Sequence, residues 1–123
     1  MNRVLISVGS NINTHKNIQL AIEYLKEICE IEKISELIQT LPIGIIDQPN
    51  FTNGVIQCIT NQPQLVFNES LKIVEDRVGR DRTRAKFGPR EIDLDIIKWN
   101  GSVVDSDYYS RTFLQELEKT IAE

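Results

Sequence analysis

Asp93 and Asp95 stand two residues apart in a run that is otherwise strongly apolar, with Ile92, Leu94, Ile96 and Ile97 around them. On an extended strand such positions face the same way, with alpha carbons roughly 6.5 to 7 Å apart. Two carboxylates that close repel each other unless a proton or a cation sits between them. Mg²⁺ suits the pair, because it takes one or two carboxylates and fills the rest of its shell with water and phosphate oxygens. A solvated strand face is the bland alternative for any such pair. Two features speak against it: the strand has the apolar character of an interior one, and Gly88-Pro89-Arg90 leads straight into it. Just upstream, five of the seven arginines (Arg77, Arg80, Arg82, Arg84 and Arg90) fall with Lys86 between positions 77 and 90, where Asp81 is the only acid. Cations beside a metal-binding acidic pair fit a polyphosphate whose charge is shared from both sides. Phosphoryl-type transfer needs mainly such positioning and charge stabilisation. Exposed cations in weak surface pairs are the alternative. No Walker A or G-x-G-x-x-G sequence occurs, so a nucleotide would be held by this loop and strand, not by a glycine cradle.

A second cluster, Thr40-Leu41-Pro42-Ile43-Gly44 with Phe51-Thr52-Asn53, is a turn-rich loop whose apolar and amide groups could line a pocket for a flat heterocycle. Asparagine offers donor and acceptor to a ring edge, and phenylalanine offers a stacking face. The competing assignment makes Phe51 a core residue and Asn53 a turn residue. His15, the lone histidine, precedes a helix and reads as solvated, while Cys29, Cys58 and Trp99 read as packing residues. Without C-x-x-C spacing or further histidines, a zinc site is not expected.

The elements that must position these groups follow from hydrophobic period. Val4, Ile6 and Val8 alternate along a strand at 3–8 that Gly9-Ser10-Asn11 ends. Ile18, Ala21, Ile22, Leu25, Ile28 and Cys29 form a helical stripe over 15–29, with Asn13 and Thr14 as capping candidates. A strand over 31–41 stops at Pro42 and Gly44, and a largely buried strand covers 53–60. Phe67, Leu71, Val74 and Val78 mark a second amphipathic helix between Pro63 and Gly79. A strand over 91–99 carries the acidic pair. A short strand at Ser102-Val103-Val104 and a helix bearing Phe113, Leu114, Leu117 and Ile121 finish the chain. The order strand, helix, strand, strand, helix, strand is the split βαβ arrangement, an antiparallel sheet with both helices on one face. With 123 residues, 41% hydrophobic and 26% charged, the chain makes one globular α+β domain over 1–123 and is neither disordered nor fibrous. Its net charge of −4 argues against bulk nucleic-acid binding, and no apolar run suits a membrane or a signal core. A cytoplasmic protein with reduced cysteines is expected.

The segments Ile6-Ser7-Val8-Gly9-Ser10-Asn11, Asp47-Gln48-Pro49-Asn50-Phe51-Thr52-Asn53, Gly79-Arg80-Asp81-Arg82 and Gly88-Pro89-Arg90-Glu91-Ile92-Asp93-Leu94-Asp95 together resemble the 6-hydroxymethyl-7,8-dihydropterin pyrophosphokinase family of folate biosynthesis. The likeness covers roughly residues 1 to 105, and that family's ferredoxin-like fold matches the order of elements. It implies transfer of the intact diphosphate of ATP, as co-substrate, to the hydroxymethyl group of a reduced pterin, leaving AMP. It implies two Mg²⁺ ions on Asp93 and Asp95, with Asp95 also helping the hydroxyl lose its proton, and Arg80 and Arg90 as catalytic loop cations. Lys72, Glu75, Arg80, Arg82, Arg90, Ile96 and Arg111 would meet the nucleotide. Thr40, Leu41, Ile43, Phe51, Asn53, Phe87 and Phe113 would meet the pterin. Small-molecule substrates, no nucleic acid, no membrane, and a monomer with a dimer as alternative complete the expectation. Phe87 replaces the family's usual tryptophan, and Leu41 a usual proline. After Val103-Val104 the sequence Asp105-Ser106-Asp107-Tyr108-Tyr109-Ser110 stands where the family has a Pro-His-containing loop, as expected of a short form without the usual C-terminal part. The alternatives are an impaired family member that binds pterin or a protein partner and, on the arginine loop alone, an RNA-binding module. The strands at 3–8 and 53–60 lack the aromatics that such a module uses to stack bases.

Overall fold

The computed structural model describes residues 1–122. Strand β1 (Asn2–Ser10) is followed by α1 (Thr14–Leu25), β2 (Glu30–Ile34), β3 (Ile38–Thr40), β4 (Phe51–Thr60), α2 (Gln64–Val78), β5 (Asp93–Trp99), β6 (Ser102–Val103), α3 (Asp107–Ser110) and α4 (Phe113–Ile121). The sheet order is β2-β4-β1-β5-β6, with β3 also on β4, and every pairing is antiparallel. This is the ferredoxin-like arrangement, extended by a short strand and a C-terminal helix.

Alternation along the central strands sends apolar residues to both sheet faces. Val4, Ile6, Val8, Ile56, Cys58, Leu94 and Ile96 meet Ile18, Ala21 and Leu25 of α1 and Phe67, Leu71 and Val74 of α2 in the larger core. On the other face Leu5, Val55 and Ile97 meet Leu114, Leu117 and Ile121 of α4. Helix α4 has only nine residues, so it covers one end of that face. Lys98 and Tyr108 hold it there, reaching Glu118 at 2.9 and 2.6 Å, while Lys33 Nζ donates to the Ile121 carbonyl at 2.8 Å.

Two of the expected elements take a different form. The strand expected over 31–41 is two strands on the same edge of β4, interrupted at 35–37. There Ser35 Oγ accepts the Val55 N–H at 2.9 Å, a side chain standing in the ladder where a backbone carbonyl would otherwise be. Helix α1 ends at Leu25, and Cys29 lies beyond it in a turn whose N–H and thiol both donate to the Leu25 carbonyl. Asn13 takes the N-cap position of that helix, its carbonyl accepting the Asn17 N–H at 2.9 Å, but its side chain makes no capping bond, and Thr14 is the first helical residue. Asn13 takes φ 42°, and it is Asn17 that donates to the Ile12 carbonyl at 2.7 Å. Cys29 and Cys58 are free thiols packed in the core, as is Trp99. His15 is exposed. No helix of the described residues is long and apolar enough to cross a membrane.

Candidate active site

The face that α4 covers at one end changes chemistry at the other. Following each strand by twos from the apolar trio, Leu5 gives way to Ser7 and Gly9, Val55 to Asn53 and Phe51, and Ile97 to Asp95 and Asp93. Register brings them together: Ser7 pairs with Asp95, and Gly9 lies between Asn53 and Asp93. A shallow cleft enclosing about 70 Å³, open at its mouth, stands on this floor. Thr40, Leu41, Ile43, Phe51, Asn53, Phe87 and Phe113 all line it, with Arg90, Arg111, Asp93 and Asp95. The seven residues assigned to a heterocycle from the sequence thus share one cavity with the acidic pair. Asn53 Nδ2 donates to Thr40 Oγ1, which fixes its amide at the floor.

Asp93 is held by two guanidiniums: Arg80 Nη1 lies 3.2 Å from Oδ1, and Arg90 Nη1 2.8 Å from Oδ2. Arg90 also donates to the Lys86 carbonyl. Among the described residues the one cation paired with Asp95 is Lys72, at 3.9 Å. The Asp95 side chain keeps 37% of its surface at the cleft mouth. Burial foremost, then the charge of Asp93, pushes its pKa up to about 7, against the pull of Lys72. Among the described residues no group of three or more His, Cys, Asp or Glu side chains converges as a metal cage. An acidic pair without a third protein ligand fits Mg²⁺, whose shell is completed by water and phosphate.

The acidity of Asp95 has a consequence for the metal-free protein. An unfolded aspartate loses its proton near pH 4, the folded one at about 7, so between those values the folded chain holds a proton the unfolded chain has released. The stability this group contributes is full below about pH 4 and is lost as pH rises to about 7. The melting temperature of wild-type protein in chelator should carry that loss, and Asp95→Asn should remove it. Identical slopes in the two proteins would assign the loss elsewhere.

A second concavity adjoins the first across Asp95. Ile96 lines it with Gln64, Leu65, Asn68, Val104 and Asp105. Lys72, Glu75, Arg80 and Arg82 line neither concavity, although Arg80 is paired with Asp93. Glu75 is fully buried behind Asp93, and Arg82 lies along the surface of α2, bonded to Asp76 at 2.9 Å. Arg111, assigned to the nucleotide from the sequence, lines the first cleft. It reaches the cleft together with Phe113 because the single turn α3 folds the 105–110 segment back, the Asp107 N–H bonding Asp105 Oδ1 at 2.9 Å.

Two amides that sequence reasoning left as turn residues tie the surrounding loops together. Asn11, 6% exposed, donates to Gln48 Oε1 at 2.9 Å and to the Pro49 carbonyl at 3.1 Å, while its Oδ1 accepts the Arg90 N–H at 2.7 Å. Gln48 in turn donates to the Phe87 carbonyl at 2.7 Å. The loop after β1, the 41–50 loop and the arginine loop therefore share one network. Gly44 adds to it, with φ 85° and a position where a Cβ would lie 2.8 Å from that of Phe87. Ser7, Gly9 and Gly88, which also line the cleft, stood in the quoted motifs but were not assigned to the site. The signal for the first two was the break in apolar alternation along β1.

Fold and site together define a ferredoxin-like α+β protein built around a small-molecule cleft with a charged mouth. Known sequences narrow the class. Residues 5–123 match the model of the family described as 7,8-dihydro-6-hydroxymethylpterin-pyrophosphokinase, and the chain belongs to that family. It is 39% identical over 105 residues to the 2-amino-4-hydroxy-6-hydroxymethyldihydropteridine pyrophosphokinase of Aquifex aeolicus, covering 85% of this chain and 65% of the relative. The protein of the same name from Pseudomonas aeruginosa is 34% identical over 106 residues, covering 84% and 65%. A folate synthesis bifunctional protein of Arabidopsis thaliana is 34% identical over 107 residues, covering 85% of this chain and 22% of that protein. The chain thus spans just under two thirds of the length of the bacterial relatives described.

Proposed function

We propose that this protein transfers the diphosphate of ATP to the hydroxymethyl group of 6-hydroxymethyl-7,8-dihydropterin, releasing AMP, as a cytoplasmic enzyme of folate synthesis. The observation that carries the proposal is the single cleft in which an amide-and-aromatic pocket meets two carboxylates and the arginine loop. The names of its relatives agree with it.

In this reading the pterin lies in the first cleft. Asn53 reads the ring edge, and Phe51, Phe87 and Phe113 enclose the ring faces. The nucleotide lies in the second concavity, its base against the apolar groups of Leu65, Ile96 and Val104. The phosphates cross the mouth beside Asp95 and Lys72. Asp93 and Asp95 are the residues that would hold two Mg²⁺ ions, which when bound draw charge from the phosphate oxygens. The hydroxymethyl oxygen attacks the β-phosphorus, and the bond from that phosphorus to the α,β-bridging oxygen breaks, leaving AMP. Asp95 accepts the hydroxyl proton. Arg80 and Arg90 stabilise the charge spread over the transferred group, and Arg82 supports the loop from the surface of α2. Closure of the arginine loop over Phe87 keeps water from the diphosphate. AMP should form only when ATP, Mg²⁺ and the pterin alcohol are present together, and purified protein that forms none under those conditions would remove the proposal.

The floor of the pterin pocket gives a sharper expectation. A Cβ on Gly9 would lie 2.8 Å from Asn53 Oδ1, so Gly9→Ala must shift the amide that reads the ring. Losing one such hydrogen bond weakens pterin binding about tenfold, leaving affinity for a non-hydrolysable ATP analogue unchanged. Calorimetric titration with each ligand separately measures both. Equal losses for the two would mean that Gly9 supports the sheet as a whole.

A further inference from the structure

We infer that Glu75 is a positioning residue, which locks Arg80, Arg82 and the Asp93–Asp95 segment into one geometry and does not itself touch the nucleotide. The inference rests on the transfer reaction proposed above and deepens it. Among the described residues Glu75 is the only carboxylate or cation in the fully buried set, with no exposed surface. Such a charge is tolerated only where partners surround it. Here Oε2 accepts the Leu94 N–H at 2.7 Å and lies 3.0 Å from Arg80 Nη1 in an ion pair, while Oε1 accepts Arg82 Nη2 at 3.0 Å and has Lys72 Nζ at 3.6 Å.

Each partner belongs to a different part of the site. Leu94 is the residue between the two aspartates, and its N–H faces the outer edge of β5, where β6 pairs only with Lys98 and Trp99. Glu75 supplies the acceptor that a neighbouring strand would otherwise give, and so fixes the segment from which Asp93 and Asp95 project. Arg80 Nη1 bridges Glu75 and Asp93, at 3.0 and 3.2 Å. The backbone aims this arginine correctly: Gly79, at φ 111°, ends α2 with its N–H on the Asp76 carbonyl and the Arg80 N–H on the Glu75 carbonyl. That turn reverses the chain toward its own last helical turn. One carboxylate thus sets the distance between the arginine loop and the acidic pair. Both oxygens are thus occupied, and Glu75 has no exposed surface to offer a nucleotide.

Glu75→Gln keeps the shape and an acceptor for Leu94 but removes the charge that holds the guanidiniums. In unliganded ¹⁵N-labelled protein, the side-chain N–H groups of Arg80 and Arg82 should exchange with water at least tenfold faster in the variant, with the Leu94 amide still protected. In turnover, kcat should fall about 10- to 100-fold, the range for partners that orient a charged site, while KM for ATP and for the pterin alcohol stays within about threefold. Loss of structure alone would lower the melting temperature without dividing kcat from KM in this way. A raised KM for ATP with unchanged arginine exchange would overturn the inference in favour of nucleotide contact. If the variant does not fold, the wild type decides: saturating Mg²⁺ and ATP analogue should leave the Leu94 amide protected, and deprotection would show that Glu75 lets go. Wild-type protein that forms no AMP would remove the transfer reading but leave the unliganded exchange comparison standing, so the two failures are distinguishable.

Discussion

Asp95→Ala should abolish AMP formation, by about 10³-fold or more, and at the same time raise the melting temperature of the metal-free protein at pH 8. Both effects have one origin. Asp95 shares a strand face with Asp93 and is held in partly buried surroundings that disfavour its charge, so its pKa is pushed up to about 7. Above that pH the unliganded fold carries a carboxylate it would be more stable without. That same carboxylate stands where the two concavities meet. Removing a charge placed for the reaction typically costs 10² to 10³ in rate, and in the proposed reaction the lost group is both a metal ligand and the proton acceptor, hence the upper end. Activity and thermal unfolding of one purified variant measure the two effects. An inactive variant that is also less stable would mean that Asp95 supports the sheet, and an active one would displace it from the chemistry.

Arg90→Ala should split metal binding from turnover in opposite directions. Both oxygens of Asp93 are already engaged, by Arg80 at 3.2 Å and Arg90 at 2.8 Å. A divalent ion can take Asp93 only by loosening these charge-assisted bonds. Without Arg90 one of the two competitors is gone, and Mn²⁺, used as a spectroscopic substitute, should bind the nucleotide-free protein roughly three- to tenfold more tightly, about 0.6 to 1.4 kcal/mol. Turnover should fall about 10²-fold, because in the proposed reaction the same guanidinium lies over the transferred group. Paramagnetic titration gives the first number and AMP release the second. Weaker Mn²⁺ binding in the variant would mean that Arg90 orients Asp93 for the metal instead of competing with it.

Much of this arrangement was legible in the sequence, because period-two alternation identifies sheet faces and the site occupies one of them. Leu5, Ser7 and Gly9 on β1 and Ile97, Asp95 and Asp93 on β5 change from apolar to polar at the same level. That is where α4 stops and the cleft begins. The Gly79 end of α2 and the approach through Gly88-Pro89-Arg90 were equally plain. The break between β2 and β3 was not, since it depends on Ser35 meeting the Val55 N–H on a strand twenty positions away. Nor was the burial of Glu75. On a helical wheel it reads as a charge beside Val74, and only the return of the chain through Arg80 and Arg82 shows what surrounds it. The hairpin at Asn100-Gly101, with φ 51° and 85°, was written in the residue pair that this tight turn prefers, though the sequence reading took the strands on either side and not the turn between them. Asn11 and Gln48 illustrate the other limit: a turn composition marks a loop but not the loops to which it is bonded.

The most direct measurement is ³¹P NMR of the protein with ATP, Mg²⁺ and 6-hydroxymethyl-7,8-dihydropterin. The expected result is AMP and a pterin diphosphate appearing one for one, with neither ADP nor orthophosphate. ADP with a pterin monophosphate, or intact ATP beside pterin that demonstrably binds, would contradict it.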